Sequence, residues 1–413
     1  MAHIPRIALL RALYGRQFAL LWSGQTFSRI GDFLYQVALA WWVLEKTGSA
    51  LAMGTVLIFS FTPMLLFLLI GGVAVDRLPR VRLMLASDLL RGTVVAVIAL
   101  LTFSNSLEIW HIYLASLTFG FVGAFFQPAY SAMVPQIVPV DDLPSANSLS
   151  SISVQIGRIL GPVLAAGLIA AGGTSFAFAF NSATFFVSAA LLLPLLAVPA
   201  PRAEILAEGE QKPGLIADLR EGIGTVVAAP VLWITIGLYA LVNVTLAGPY
   251  SVAMPFLVEE HLHADASTLG FLYAMFPVGY VLGGVWLGRK ARIRSRGLLM
   301  YGGVVVAGSM LFTFGLQLPV LVLGLAAIIN GAALEMGSLA WTNTLQETVP
   351  GEKLGRVYSI DMLGSYVLLP LGYALTGFMT DLVGPAIVFL LGGGISVILA
   401  LLGLTHPRIR TWS

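Results

Sequence analysis

Twelve predominantly apolar runs follow one another along this chain, near residues 18–44, 50–75, 83–103, 109–134, 146–171, 174–198, 230–257, 267–288, 297–316, 319–344, 356–380 and 384–405. Each reaches the roughly 20 residues that a helix needs to cross the hydrocarbon core of a bilayer. No water is present there to satisfy free N–H and C=O groups, so such runs fold as helices. The sequence therefore predicts an all-α membrane protein with twelve transmembrane helices. One long polar interruption, "PAPRAEILAEGEQKPGLIADLREGIG" from Pro199 to Gly224, divides the runs six and six. The expected organisation is a six-helix bundle over residues 1–198, a cytoplasmic linker with an amphipathic segment over 199–229, and a second bundle over 230–413.

Lys and Arg accumulate on the cytoplasmic side of membrane proteins. With both termini placed inside, the inner segments hold 18 of the 22 basic residues, the outer loops hold only Lys46, and Arg29, Arg91 and Arg158 fall within spans. This distribution predicts an N-in, C-in topology, with the first span an uncleaved anchor.

Composition removes several function classes. Charged residues make up 10% of the chain, against about 25% in soluble domains. The net charge of +2 gives no basic surface for nucleic acid, and the absence of cysteine removes disulfides and thiolate sites. The four lysines lie in "EKT", "QKP", "RKA" and "EKL", none within GxxxxGK[ST], so ATP drive is not expected. His261 and His263 in "EEHLHAD" read as a solvated outer connector rather than a metal site. No enzyme constellation, metal or cofactor is expected.

The halves repeat. "VPVDDL" (Val138–Leu143) matches "VPGEKL" (Val349–Leu354) at an offset of 211, which also aligns Ser148 with Ser359 and Gly161 with Gly372. "GGVAVDR" (Gly71–Arg77) matches "GGVWLGR" (Gly283–Arg289) at 212. Matches in equivalent inner loops at nearly one offset indicate a parallel duplication.

On these residues the chain resembles the major facilitator superfamily. "GGVAVDRLPRVRLM" is similar to its inner-loop motif, "GRILGPVLAAG" (Gly157–Gly167) to the fifth-helix motif of its drug:proton antiporters, and "QPAYSAMVPQIVPVDDLPSANSL" to the subgroup of macrolide-efflux, multidrug-efflux and enterobactin-export proteins. The resemblance spans nearly the whole chain. It implies a proton-coupled exporter of small lipophilic or cationic compounds, working as a monomer by alternating access around a midplane site between the halves. It also implies a gating role for Gly72, Asp76, Arg77 and Arg80, with Asp76 capping a helix of the other half, and a hinge or antiporter motif at Gly157, Gly161, Pro162 and Gly167. Two departures stand out. The fourth span, "LASLTFGFVGAFFQPA", lacks the arginine that such antiporters carry there, and Gly288 stands where Asp76 has its counterpart.

The residues themselves point to further candidates. Arg29 and Asp32 interrupt the first span at a spacing of i, i+3, which puts them on one helix face. A charge in mid-bilayer costs at least ~2.5 kcal/mol, so such residues mark pairs, proton relays or substrate paths. Desolvation favours a neutral carboxyl unless a cation pairs with it, which suits Asp32 to proton coupling with Arg29 tuning it. Glu335, in "INGAALEMGSLAW", reads as the only other acidic residue deep in a span and as a second coupling candidate. Asp88 and Arg91, again i, i+3, would extend the gating network. Phe33, Tyr35, Tyr239 and Phe276 are candidates for an apolar cavity lining. Import of a small solute, export of a siderophore or other metabolite, and a non-transporting scramblase or receptor are the alternatives these residues leave open.

Overall fold

The computed structural model describes residues 8–198, 215–289 and 295–407. Among the described residues every regular element is helical. The longer helices are α1 (Arg16–Thr47), α2 (Ala50–Arg77), α3 (Arg80–Phe103), α4 (Ile109–Ile137), α5 (Leu143–Leu192), α6 (Leu215–Ala228), α7 (Pro230–Gly248), α8 (Ala266–Gly288), α9 (Arg296–Thr313), α10 (Val320–Thr348), α11 (Gly351–Tyr366), α12 (Leu369–Val383) and α13 (Pro385–Thr405). Ten helical stretches among them are long and apolar enough to cross a membrane. α1 falls outside that set because Arg29 and Asp32 lower its hydropathy, although it is 32 residues long.

Glycine and proline set the breaks. α5 covers both the fifth and sixth apolar runs and changes direction at Gly172 and Gly173, where Gly173 takes φ 73. That left-handed conformation suits a residue without Cβ. α11 gives way to α12 just before Pro370, which cannot donate to the Tyr366 carbonyl. α7 continues through wide helical turns around Pro249 and Pro255 to His261.

The chain forms two compact units, Met1–Gly48 with Val56–Ile205, and Ser49–Thr55 with Leu206–Ser413. In the first, α1 packs along both arms of α5, and α3 lies against α5 and α4. Small residues let the backbones close up: a Cβ on Gly157 would stand 2.9 Å from the Phe33 ring, and one on Gly161 2.6 Å from Phe33 Cβ and 2.9 Å from the Leu34 nitrogen. Close approach of this kind is how helices associate where no hydrophobic force acts between them. The short helical turn Ala8–Tyr14 docks on the start of α5, where Arg11 pairs with Asp142 at 2.9 Å and the Ala12 N–H donates to Ser145.

In the second unit α10 packs between α8 and α9, and α13 lies against α9 and α7. α6 is amphipathic and sits on α11 and α7, its Glu221 pairing with Lys353 at 3.2 Å and Arg356 at 2.7 Å. The first turn of α2 also belongs here. The Asp381 carboxylate near the end of α12 accepts the Ala50 N–H at 2.6 Å, the Leu51 N–H at 3.1 Å and the Ser49 hydroxyl at 2.8 Å. Three donors at a helix N-terminus thus converge on one carboxylate, which the helix dipole also favours.

Candidate functional site

The charges expected in the first span find different partners from those their spacing suggests. Arg29 does not pair with Asp32. Its guanidinium donates to the Ser150 carbonyl at 2.8 Å and lies 4.8 Å over the Tyr130 ring. The cation beside Asp32 is Arg91 of α3, at 3.8 Å. Arg91 also binds Asp88 at 2.8 Å and is sandwiched between the rings of Phe126 and Phe185, at 4.4 and 4.7 Å. Asp88 is 0% exposed and Arg91 7% exposed, so this is a core network. Ser188 donates to the second Asp88 oxygen at 2.7 Å and receives Gln25 Nε2 at 3.0 Å. Asp88 and Arg91 therefore tie α3 to α1 and α5 inside the unit.

The network leaves Asp32 distinct. Its side chain is 32% exposed, and among the described residues the one cation within 4 Å of it is Arg91, which Asp88 also binds. With both carboxylates ionised, Asp32, Asp88 and Arg91 sum to one negative charge, and Asp32 is the reachable member.

The remaining candidates are scattered. Arg80 donates to the Ala132 carbonyl and the Gln136 side chain. The side chains of Asp76 and Arg77 lie outside the described residues, while Gly72 has open space where a Cβ would go. Gly157, Gly161 and the buried Pro162 form the seam with α1, but Gly167 has no neighbour within 4 Å of a built Cβ. Phe33 packs on that seam, under the Arg158 guanidinium at 5.8 Å. Tyr35 is buried and stacks on Phe119 at 5.4 Å. Tyr239 donates to the Met300 carbonyl, and Phe276 lies 5.3 Å from Tyr250. Glu335 is half-buried on α10 with its carboxylate beside Gly284; Asn330 turns instead to the Ala307 carbonyl.

Glu335 is not the only further acidic residue within a span. Asp361 of α11 accepts the Trp341 indole N–H at 3.0 Å and the Ser365 hydroxyl at 3.3 Å. Its nearness to the basic inner end of the run hides it in the sequence; its alignment with Ser150 at the repeat offset was the signal available.

The family model described as Major Facilitator Superfamily matches residues 21–360 and 238–411. The chain belongs to the Major Facilitator Superfamily. It is a multi-pass protein of the cytoplasmic membrane and a transporter by family. Macrolide efflux protein A of Streptococcus pyogenes is 26% identical over 394 residues, covering 93% of this chain and 94% of the relative. Multidrug efflux pump Tap of Mycolicibacterium fortuitum is 28% identical, covering 95% of each chain. Enterobactin exporter EntS of Citrobacter koseri is 29% identical, covering 87% of this chain and 88% of the relative. Among solved structures, the nucleoside transporter NupG matches with a TM-score of 0.70 at 13% identity over 94% of this chain and 98% of its own. A bacterial homologue of the iron transporter ferroportin matches at 0.70 and 15% identity over 95% and 99%. These two likenesses concern the facilitator fold alone.

Proposed function

We propose that this protein exports small lipophilic or cationic compounds across the cytoplasmic membrane in exchange for protons, by alternating access. The observation that carries the reading is the place of Asp32: about one-third exposed, it shares Arg91 with a fully buried Asp88, so that its own charge, when ionised, is left without a partner of its own. Either a proton or a cationic group can complete that charge balance, and competition between them is the elementary requirement of antiport. Export is supported by the efflux proteins that this chain resembles over nearly its whole length. Counting α1 and the two arms of α5 with the other spans gives twelve crossings, and the distribution of Lys and Arg favours both termini inside. Asp76, Arg77 and Arg80 act in gating on this reading.

The test uses inverted membrane vesicles with an acid interior reported by a pH-sensitive dye, to which cationic dyes, macrolides and tetracyclines are added. Compound-triggered proton release in the wild type, lost in Asp32→Asn, is the expected result. Stably folded Asp32→Asn with an unchanged dependence on the proton gradient would sink the coupling role. The similarity to an enterobactin exporter favours a second reading, export of a specialised metabolite, if the drug panel is silent.

A further inference from the structure

The repeat offset of 211 carries Tyr130 onto Trp341, Ser150 onto Asp361, and Trp22 onto Trp233. The first two form the same contact in each unit. Tyr130 Oη lies 2.8 Å from Ser150 Oγ, and Trp341 Nε1 donates to Asp361 Oδ2 at 3.0 Å. In the first unit a cation completes the arrangement: the Arg29 guanidinium lies over the Tyr130 face and donates to the Ser150 main chain.

The second unit differs at all three places. The aromatic face is an indole, the side chain that attracts cations most strongly. The neutral hydroxyl has become a carboxylate. The residue aligned with Arg29 is Ala240, which has no charge to offer. Among the described residues no ion pair reaches Asp361, which receives only the Trp341 N–H and the Ser365 hydroxyl. It is half-buried, five residues and so roughly 7.5 Å past Arg356, where the apolar run begins. An intramembrane carboxylate faces protein or a water-filled space rather than lipid, and it calls for a positive partner.

We propose that Asp361 and Trp341 form a recognition site for an organic cation, a guanidinium or amine borne on an apolar body, and that the incoming group takes the place that Arg29 fills in the first unit. A guanidinium can meet a carboxylate with two parallel hydrogen bonds while its plane covers an aromatic face. Arg29 shows half of that geometry with the chain's own side chain. The proposal rests on the export reading for the direction of movement, not for the binding itself.

The test is fluorescence polarisation with the full-length protein in nanodiscs, using a fluorescent arylalkyl guanidinium and its uncharged urea analogue. The wild type binds the guanidinium at least tenfold more tightly, about 1.4 kcal/mol. Asp361→Asn abolishes that preference, Asp361→Glu retains it, and Trp341→Leu weakens binding several-fold. No preference in the wild type overturns the proposal, and this result does not depend on any variant folding. A preference unchanged in folded Asp361→Asn overturns it as well. Uptake of the probe into inverted vesicles separates the two readings. Asp361-dependent binding without uptake leaves the site standing and removes export, whereas uptake undiminished in Asp361→Asn removes the site and leaves export.

Discussion

Arg91 gives the sharpest test of how the first unit is held together. Replacing it with leucine keeps an apolar stem between Phe126 and Phe185 but removes the charge that Asp88 binds at 2.8 Å. Asp88 is 0% exposed, so its carboxylate is then left in the core with only neutral donors, the Ser188 hydroxyl and the Gln25 amide, beside it. Removing one partner of a buried pair costs about 3–5 kcal/mol, most of it the penalty of the stranded charge. For a unit of this size each kcal/mol lowers the unfolding midpoint by roughly 2–4 °C, so Arg91→Leu should fall about 6–20 °C below the wild type. Differential scanning fluorimetry of the purified protein at one scan rate reads this directly. The reasoning also fixes a second variant. In Asp88→Asn the stranded charge is already gone, and the further change Arg91→Leu should cost much less than it does in the wild type. Arg91→Leu unfolding within about 2 °C of the wild type, or costing as much in the Asp88→Asn background as alone, would refute the buried pair as the source of stability.

Two glycines of one motif should behave oppositely: Gly161→Ala overpacks against Phe33 and the Leu34 main chain and should cost about 1–3 kcal/mol, whereas Gly167→Ala meets nothing and should gain up to about 1 kcal/mol of helix propensity, both read from unfolding midpoints. Asp381→Ala removes three hydrogen bonds at the start of α2 and should cost about 0.5–2 kcal/mol, checked by denaturant unfolding, with Asp381→Asn recovering part of the loss. Glu221→Gln breaks two ion pairs on a half-exposed side chain and should change stability by no more than about 1 kcal/mol in the same assay.

What could be read from the residues follows from what kind of signal each feature is. Long apolar runs and repeat offsets are statements about the chain alone, so the helical architecture, the break near residue 172 and the family were all legible. The partner of Asp32 was not. A spacing of i, i+3 says that Arg29 and Asp32 share a face, but a helix packed between several neighbours divides that face. Arg29 turns to Tyr130 and Ser150 while Asp32 turns to α3. Only tertiary packing brings Arg91 there, because Arg29, the cation on the same helix, is held by Ser150 and Tyr130 instead. Asp361 was hidden for a different reason: it follows Lys353 and Arg356 closely enough to pass as an inner-loop charge. The motif around Gly157 was visible as a pattern, but which of its glycines touches anything was not, because that depends on how α1 lies across it.

The seam between α1 and α5 has a mechanical consequence. Sliding between packed helices proceeds by side chains exchanging one set of grooves for another. Where Gly157 and Gly161 meet the main chain of α1, there is no such layer to slide on. The register of the two helices is therefore locked like a keyed joint. Asp32 is carried by α1, whose Gly24 and Gly31 close in the same way on Ser188 and Thr184 of the second arm of α5, so any movement that changes which solution reaches the carboxylate must carry its whole setting along as a solid piece.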